Sequence, residues 1–99
     1  MKREEIIKIW IDSFNRLCVK SKSLTFDMIY RSAKGVNWNS DEGYLFTQKM
    51  VELKPPLWFR QIIHALEDEY RCQLYITEKT YWENIDTSYK DAIIMENYR

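Results

Sequence analysis

Residues 3–19 read Arg3-Glu4-Glu5-Ile6-Ile7-Lys8-Ile9-Trp10-Ile11-Asp12-Ser13-Phe14-Asn15-Arg16-Leu17-Cys18-Val19. Ile6, Ile7, Trp10, Ile11, Phe14, Leu17 and Cys18 recur at steps of three and four, the spacing that puts side chains on one face of a helix. Glu4, Lys8, Asp12, Asn15 and Arg16 fall on the other side. Glu4 and Lys8 then form an i,i+4 pair worth a few tenths of a kcal/mol. The spacing predicts a first helix over 3–19, and the fold class follows from it.

Outward from that stretch, the punctuation is sparse. Two glycines, Gly35 and Gly43, and two prolines, Pro55 and Pro56, interrupt 99 residues. So few breakers favour helices over a many-turned β fold. A polar connector at 20–23 leads to a short helix predicted over 25–34, with Gly35 at its C-terminal end. Residues 37–43 read as a loop and helix cap, with Ser40 or Asp41 accepting the free amide hydrogens of a helix over 44–53. Pro55 ends that helix, because proline disfavours helical geometry in the residue before it. Pro56 opens the next, where no amide hydrogen is needed. Along 57–70, Phe59, Ile62, Ile63, Leu66 and Tyr70 share a narrow arc, opposite Arg60, Gln61, His64, Glu67 and Asp68. Residues 72–77 alternate apolar and polar, as a strand or an extended link does. A turn of helix at 78–84 and a last helix from Thr87 or Ser88 to about residue 98 complete the reading. The expectation is an all-α, four- to five-helix bundle forming a single domain over 1–99.

Composition limits the function classes. The chain is 45% hydrophobic and 15% aromatic, too apolar for disorder. Fifteen basic residues balance fifteen acidic ones, without the basic stripe of a nucleic-acid binder. No run approaches the ~18–20 apolar residues of a membrane span, and the charged start does not resemble a secretion signal. A cytoplasmic location and no membrane partner are therefore expected. Cys18 and Cys72 form no CxxC pair and read as reduced, partly buried thiols, although a disulfide stays open. One histidine and two distant cysteines do not make a zinc site, and no cofactor motif is present.

Ala65-Leu66-Glu67-Asp68-Glu69-Tyr70, then Leu74 in the link, a short 78–84 segment and Ser88-Tyr89-Lys90-Asp91-Ala92-Ile93 together resemble the second half of acyl carrier proteins, over about residues 56–98. The resemblance implies a carrier-like helical fold. It also implies that the carrier function is lost. Pro55-Pro56-Leu57 stands where the family has Asp-Ser-Leu, so the serine that holds phosphopantetheine is missing. The stretch 24–54 is longer than the family's loop.

Candidate chemistry is thin. His64 shares a helix face with Arg60 and Asp68, each four residues away, which reads as a solvated surface. Glu67, Asp68 and Glu69 point about 100° apart on a helix and make no catalytic pair. Large aromatics at a surface anchor interfaces. Trp38 in its loop, Leu57 and Trp58 at the head of the 57–70 helix, and the polar Arg60, Gln61, His64 and Asp68 behind them are the expected docking surface. The resemblance points to the same region. The sequence therefore predicts a non-catalytic protein that docks on a partner protein as a regulator, inhibitor or immunity-type antagonist. The alternative is a carrier-like accessory of fatty-acid or polyketide-type synthesis. An enzyme would need a second chain to complete its site, and oligomeric state is not legible.

Overall fold

A computed structural model describes residues 2–26, 29, 35–47 and 54–97. Its elements run β1 (Lys2–Ile11), β2 (Leu17–Ser21), β3 (Val36–Asn39), β4 (Tyr44–Thr47), α1 (Pro55–Tyr70), β5 (Cys72–Glu83) and α2 (Thr87–Asn97). The five strands form one mixed sheet in the order β3-β4-β2-β1-β5. Neighbours pair antiparallel except β1 and β5, which run parallel. The fold is α+β, and the all-α bundle expected from the sequence is corrected.

The correction turns on residues 3–19. They form a hairpin, with Ile9 opposite Val19, Trp10 opposite Cys18 and Ile11 opposite Leu17. The register slips between Ile6 and Lys8. A bulge adds one residue to a strand and reverses the alternation beyond it. The inward positions of β1 are therefore Glu4 and Ile6, then Ile9 and Ile11, with one step of three across the slip. That step imitates helical spacing. The β-branched isoleucines are the better guide, because they favour the pleated strand. Between the strands, Asp12 and Arg16 close the turn backbone to backbone at 3.1 Å, and Asn15 takes the left-handed conformation (φ 60°).

Further along, 44–47 is strand and not helix. Residues 37–43 form a β3–β4 hairpin in which the Asn39 side chain accepts the amide hydrogens of Asp41 and Glu42, both at 3.0 Å. Most of the helix expected over 25–34 and residues 48–53 lie outside the described residues. The 57–70 reading meets a real helix: Lys54 is its N-cap, the two prolines occupy its first turn, and Arg71 ends it in the left-handed region. The alternation at 72–77 resolves as strand, and the strand continues through 78–83, where a turn of helix was expected.

Both helices lie on one face of the sheet. Phe59, Ile62 and Leu66 of α1 and Ile93 of α2 pack with Ile6, Ile9, Leu17, Val19, Leu45, Leu74 and Ile76 in one buried core. The acyl carrier likeness fails here. The family's extended link corresponds to β5, an integral strand paired along β1, and the expected first helix is two strands of the same sheet. At β5's outer edge the Asn97 side chain receives the Ile76 amide hydrogen (2.9 Å) and donates to the Leu74 carbonyl (3.1 Å). A side-chain amide thus supplies the bonds of a missing neighbour strand, which blunts an otherwise open edge.

Candidate functional site

The sheet has a second face, and no described helix covers it. Side chains alternate across a strand, so residues between the core positions point there. On β1 beyond the bulge these are Lys8 and Trp10. On β2 they are Cys18 and Lys20, on β4 Tyr44 and Phe46, on β3 Asn37 and Asn39, and on β5 Tyr81 and Glu83. Pairing sets them in rows: Trp10, Cys18 and Phe46 in one, and Lys8 opposite Lys20 in the next.

Aromatic rings floor this face. Trp10 meets Tyr44 edge-on at 4.8 Å between centroids, and Tyr44 meets Phe46 at 6.1 Å. Such edge-to-face contacts favour the rings beyond the area they bury. The Tyr44 hydroxyl accepts from the Asn39 amide at 3.0 Å. Burial pushes the Tyr44 phenol above its ordinary value, against the lowering effect of that bond. Cations lie over the rings. The Lys8 ammonium is 4.6 Å from the centre of Trp10 and 5.8 Å from that of Tyr81. The Arg16 guanidinium is 4.3 Å from Phe46 and 5.1 Å from Phe14. These contacts are attractive at partly wet sites. Phe14 and Tyr81 stay largely in solvent, 66% and 58% exposed.

Two charged groups on this face are already satisfied. Asp12 receives the backbone amides of Phe14 and Arg16 at 3.0 and 2.9 Å and the Arg16 guanidinium at 2.7 Å. Burial raises the Asp12 carboxyl, but the bonds and charge of Arg16, with the Phe14 amide, outweigh it and hold the group below the usual carboxylate value. Cys18 is fully buried in its row between Trp10 and Phe46; burial, with Asp12 beside it, pushes its thiol up to about 12. Lys8 reaches Glu83 only at 3.7 Å, and Lys20 donates to the Glu42 backbone carbonyl at 3.1 Å. Lys8, Trp10, Lys20, Glu42 and Tyr44 line a cleft of about 310 Å³ on this face.

The residues expected as a docking surface are dispersed. Trp58 is 2% exposed and lies in the core. Trp38 sits half-buried against the core and meets Phe26 edge-on at 5.9 Å. Leu57 is partly exposed, Asp68 and His64 are exposed, and the Gln61 Oε1 is buried without a hydrogen-bond partner among the described residues. Arg60 forms a two-pronged pair with Glu96 of α2 at 2.7 and 3.0 Å and not with His64. Arg60 and His64 do share a cleft of about 340 Å³ with Glu67, Gln73, Glu96 and Asn97, between α1, α2 and β5. Cys18 and Cys72 are free thiols, both buried. Among the described residues there is no group of three or more His, Cys, Asp and Glu placed to hold a metal ion, and no helix is long and apolar enough to cross a membrane.

Residues 4–80 match the family described as Integron Cassette Protein Hfx_Cass5. The chain belongs to this family. A solved structure of the integron cassette protein Hfx_Cass5, from the mobile metagenome of the North West Arm sewage outfall, is 27% identical to it. That likeness covers 100% of this chain and 99% of the other, with a TM-score of 0.50. No curated protein matches. Membership of the Hfx_Cass5 family replaces the acyl carrier resemblance and removes the basis for a carrier-like accessory role. The family match runs from residue 4 in β1 to residue 80 in β5, so it includes the Lys8, Trp10, Cys18, Lys20, Tyr44 and Phe46 positions of the helix-free face, while Tyr81 and Glu83 lie beyond it.

Proposed function

We propose that this Hfx_Cass5-family chain is a non-catalytic protein-binding domain, and that it docks on a partner protein with the helix-free face of its sheet. The observation that carries the reading is the make-up of that face. Trp10, Tyr44, Phe46, Phe14 and Tyr81 lie together with Lys8, Arg16 and Lys20, and no described element packs on them. Aromatic and arginine side chains are the groups enriched at the centres of protein interfaces. Two groups with potential chemistry, one on each side of the sheet, also favour binding over catalysis. Cys18 is held protonated, the wrong state for a nucleophile. His64 stands on the outer face of α1 while Arg60 is engaged by Glu96. Occupying a partner's surface in this way is the action of a stoichiometric regulator, inhibitor or immunity-type protein.

The test is a comparison of the tagged chain with a Phe14→Ala, Tyr81→Ala variant, both expressed in the native host. Both side chains are exposed, so the variant keeps its fold, with stability within about 0.5 kcal/mol by urea unfolding. A protein that co-purifies in fixed ratio with the parent chain should be lost from the variant. Retention of the same protein at the same ratio would remove the sheet face as the interface.

A further inference from the structure

We infer that the Lys8–Lys20 cleft seats an acidic side chain of the partner, so that the docked segment presents an aspartate or glutamate at its centre. This rests on the reading of the helix-free face as the docking surface, and it specifies the partner's chemistry.

Lys8 and Lys20 stand directly opposite one another on β1 and β2, on the same side of the sheet. Like charges in directly opposed positions destabilise a strand pair. Among the described residues, only one carboxylate pairs with either of them. The Glu83 carboxylate reaches Lys8 only at 3.7 Å and is itself half in solvent. Lys20 has no ion pair among the described residues and bonds a backbone carbonyl, that of Glu42. Asp12, just beyond the end of β1, is taken up by Arg16. A carboxylate seated in the cleft that both lysines line would gain charge-assisted bonds from them.

The cleft's form favours a side chain of a macromolecule over a free small molecule. At about 310 Å³ it is at the lower limit of ligand pockets, and long lysine chains rather than enclosing walls form its sides. Trp10 and Tyr44 make its floor, which suits an acid flanked by apolar or aromatic neighbours. Glu42 on its rim and Glu83 beside Lys8 would repel further acids on either flank. The segment that fits is therefore a single acid between apolar residues, and not an acidic run.

Three five-residue peptides test this: acetyl-Gly-Phe-Glu-Phe-Gly-amide and its counterparts with Gln or Lys at the centre. Each is titrated at millimolar concentration into the isotope-labelled chain, following the backbone amides of β1, β2, β4 and α1 and the Trp10 indole. The Glu peptide should shift Lys8, Trp10, Lys20 and Tyr44, and bind about tenfold more tightly than the Gln peptide, the weight of one charge-assisted contact. The advantage should vanish in Lys8→Gln, Lys20→Gln and persist in Lys8→Arg, Lys20→Arg. Equal binding of the Glu and Gln peptides on the sheet face would overturn the acidic seat while leaving the docking surface in place. Shifts confined to α1 and its cleft with α2 would overturn both.

Discussion

The two faces of the sheet are built from different side chains. The helix-covered face is aliphatic: Ile6, Ile9, Leu17, Val19, Leu45 and Leu74 are buried against Phe59, Ile62, Leu66 and Ile93. The other face is aromatic and cationic, with Trp10, Tyr44 and Phe46 beneath Lys8 and Arg16. Branched aliphatic chains lock into a shared interior at crystal-like density. Rings overlaid by long cationic chains tolerate a wet surface, because the alkyl stems cover apolar area while the charges stay hydrated. The first arrangement supplies stability, and the second is available for binding.

Three experiments press on this division. The largest effect concerns Cys18, which points to the uncovered face yet is fully buried there. With its thiol pushed up to about 12, only about one molecule in ten thousand carries a thiolate at pH 8. In a Cys72→Ser background, which leaves Cys18 as the single thiol, labelling with Ellman's reagent should be negligible in the native protein and complete in guanidinium. Prompt native labelling would mean that the ring layer does not seal the sheet. The next is Phe59→Ala on the covered face, expected to cost about 3–5 kcal/mol in urea unfolding. Tyr81→Ala on the open face should cost no more than about 0.5 kcal/mol. Equal losses would erase the distinction. The smallest effect is the acid response of Asp12. Its carboxyl is held below the ordinary value of 3.8, so its contribution is complete above that value and is lost as pH falls through the folded value. Asp12→Asn should flatten the acid limb of the stability–pH profile, and an unchanged limb would show that the turn does not depend on this charge.

How much of this was legible in the sequence depended on the range of the signal. Helix α1 was readable because its prolines and apolar arc are both local. Helix α2 and the alternation of 72–77 were readable for the same reason. The β1–β2 hairpin was not, because the slip at Ile7 turned a period of two into a helical step at the position that set the fold class. The parallel pairing of β1 with β5 joins residues about seventy positions apart, with no local mark. The candidate site was hidden for that reason. Lys8 and Trp10, Cys18 and Lys20, and Tyr44 and Phe46 are each spaced by two, and that spacing was the available clue. Their sharing of one face exists only once the register is fixed. Trp38 and Trp58 misled in the opposite way: each was a candidate surface ring, and each was needed by a small core.

The central claim, that the partner meets the sheet and not the helices, is tested most directly by photo-cross-linking in living cells. p-Benzoylphenylalanine is placed either at Tyr81 on the open face, 58% exposed, or at Met95 on α2, 68% exposed. Position 81 should give one discrete cross-linked product and position 95 none. A product from position 95 alone would contradict the account and return the interface to the helical layer.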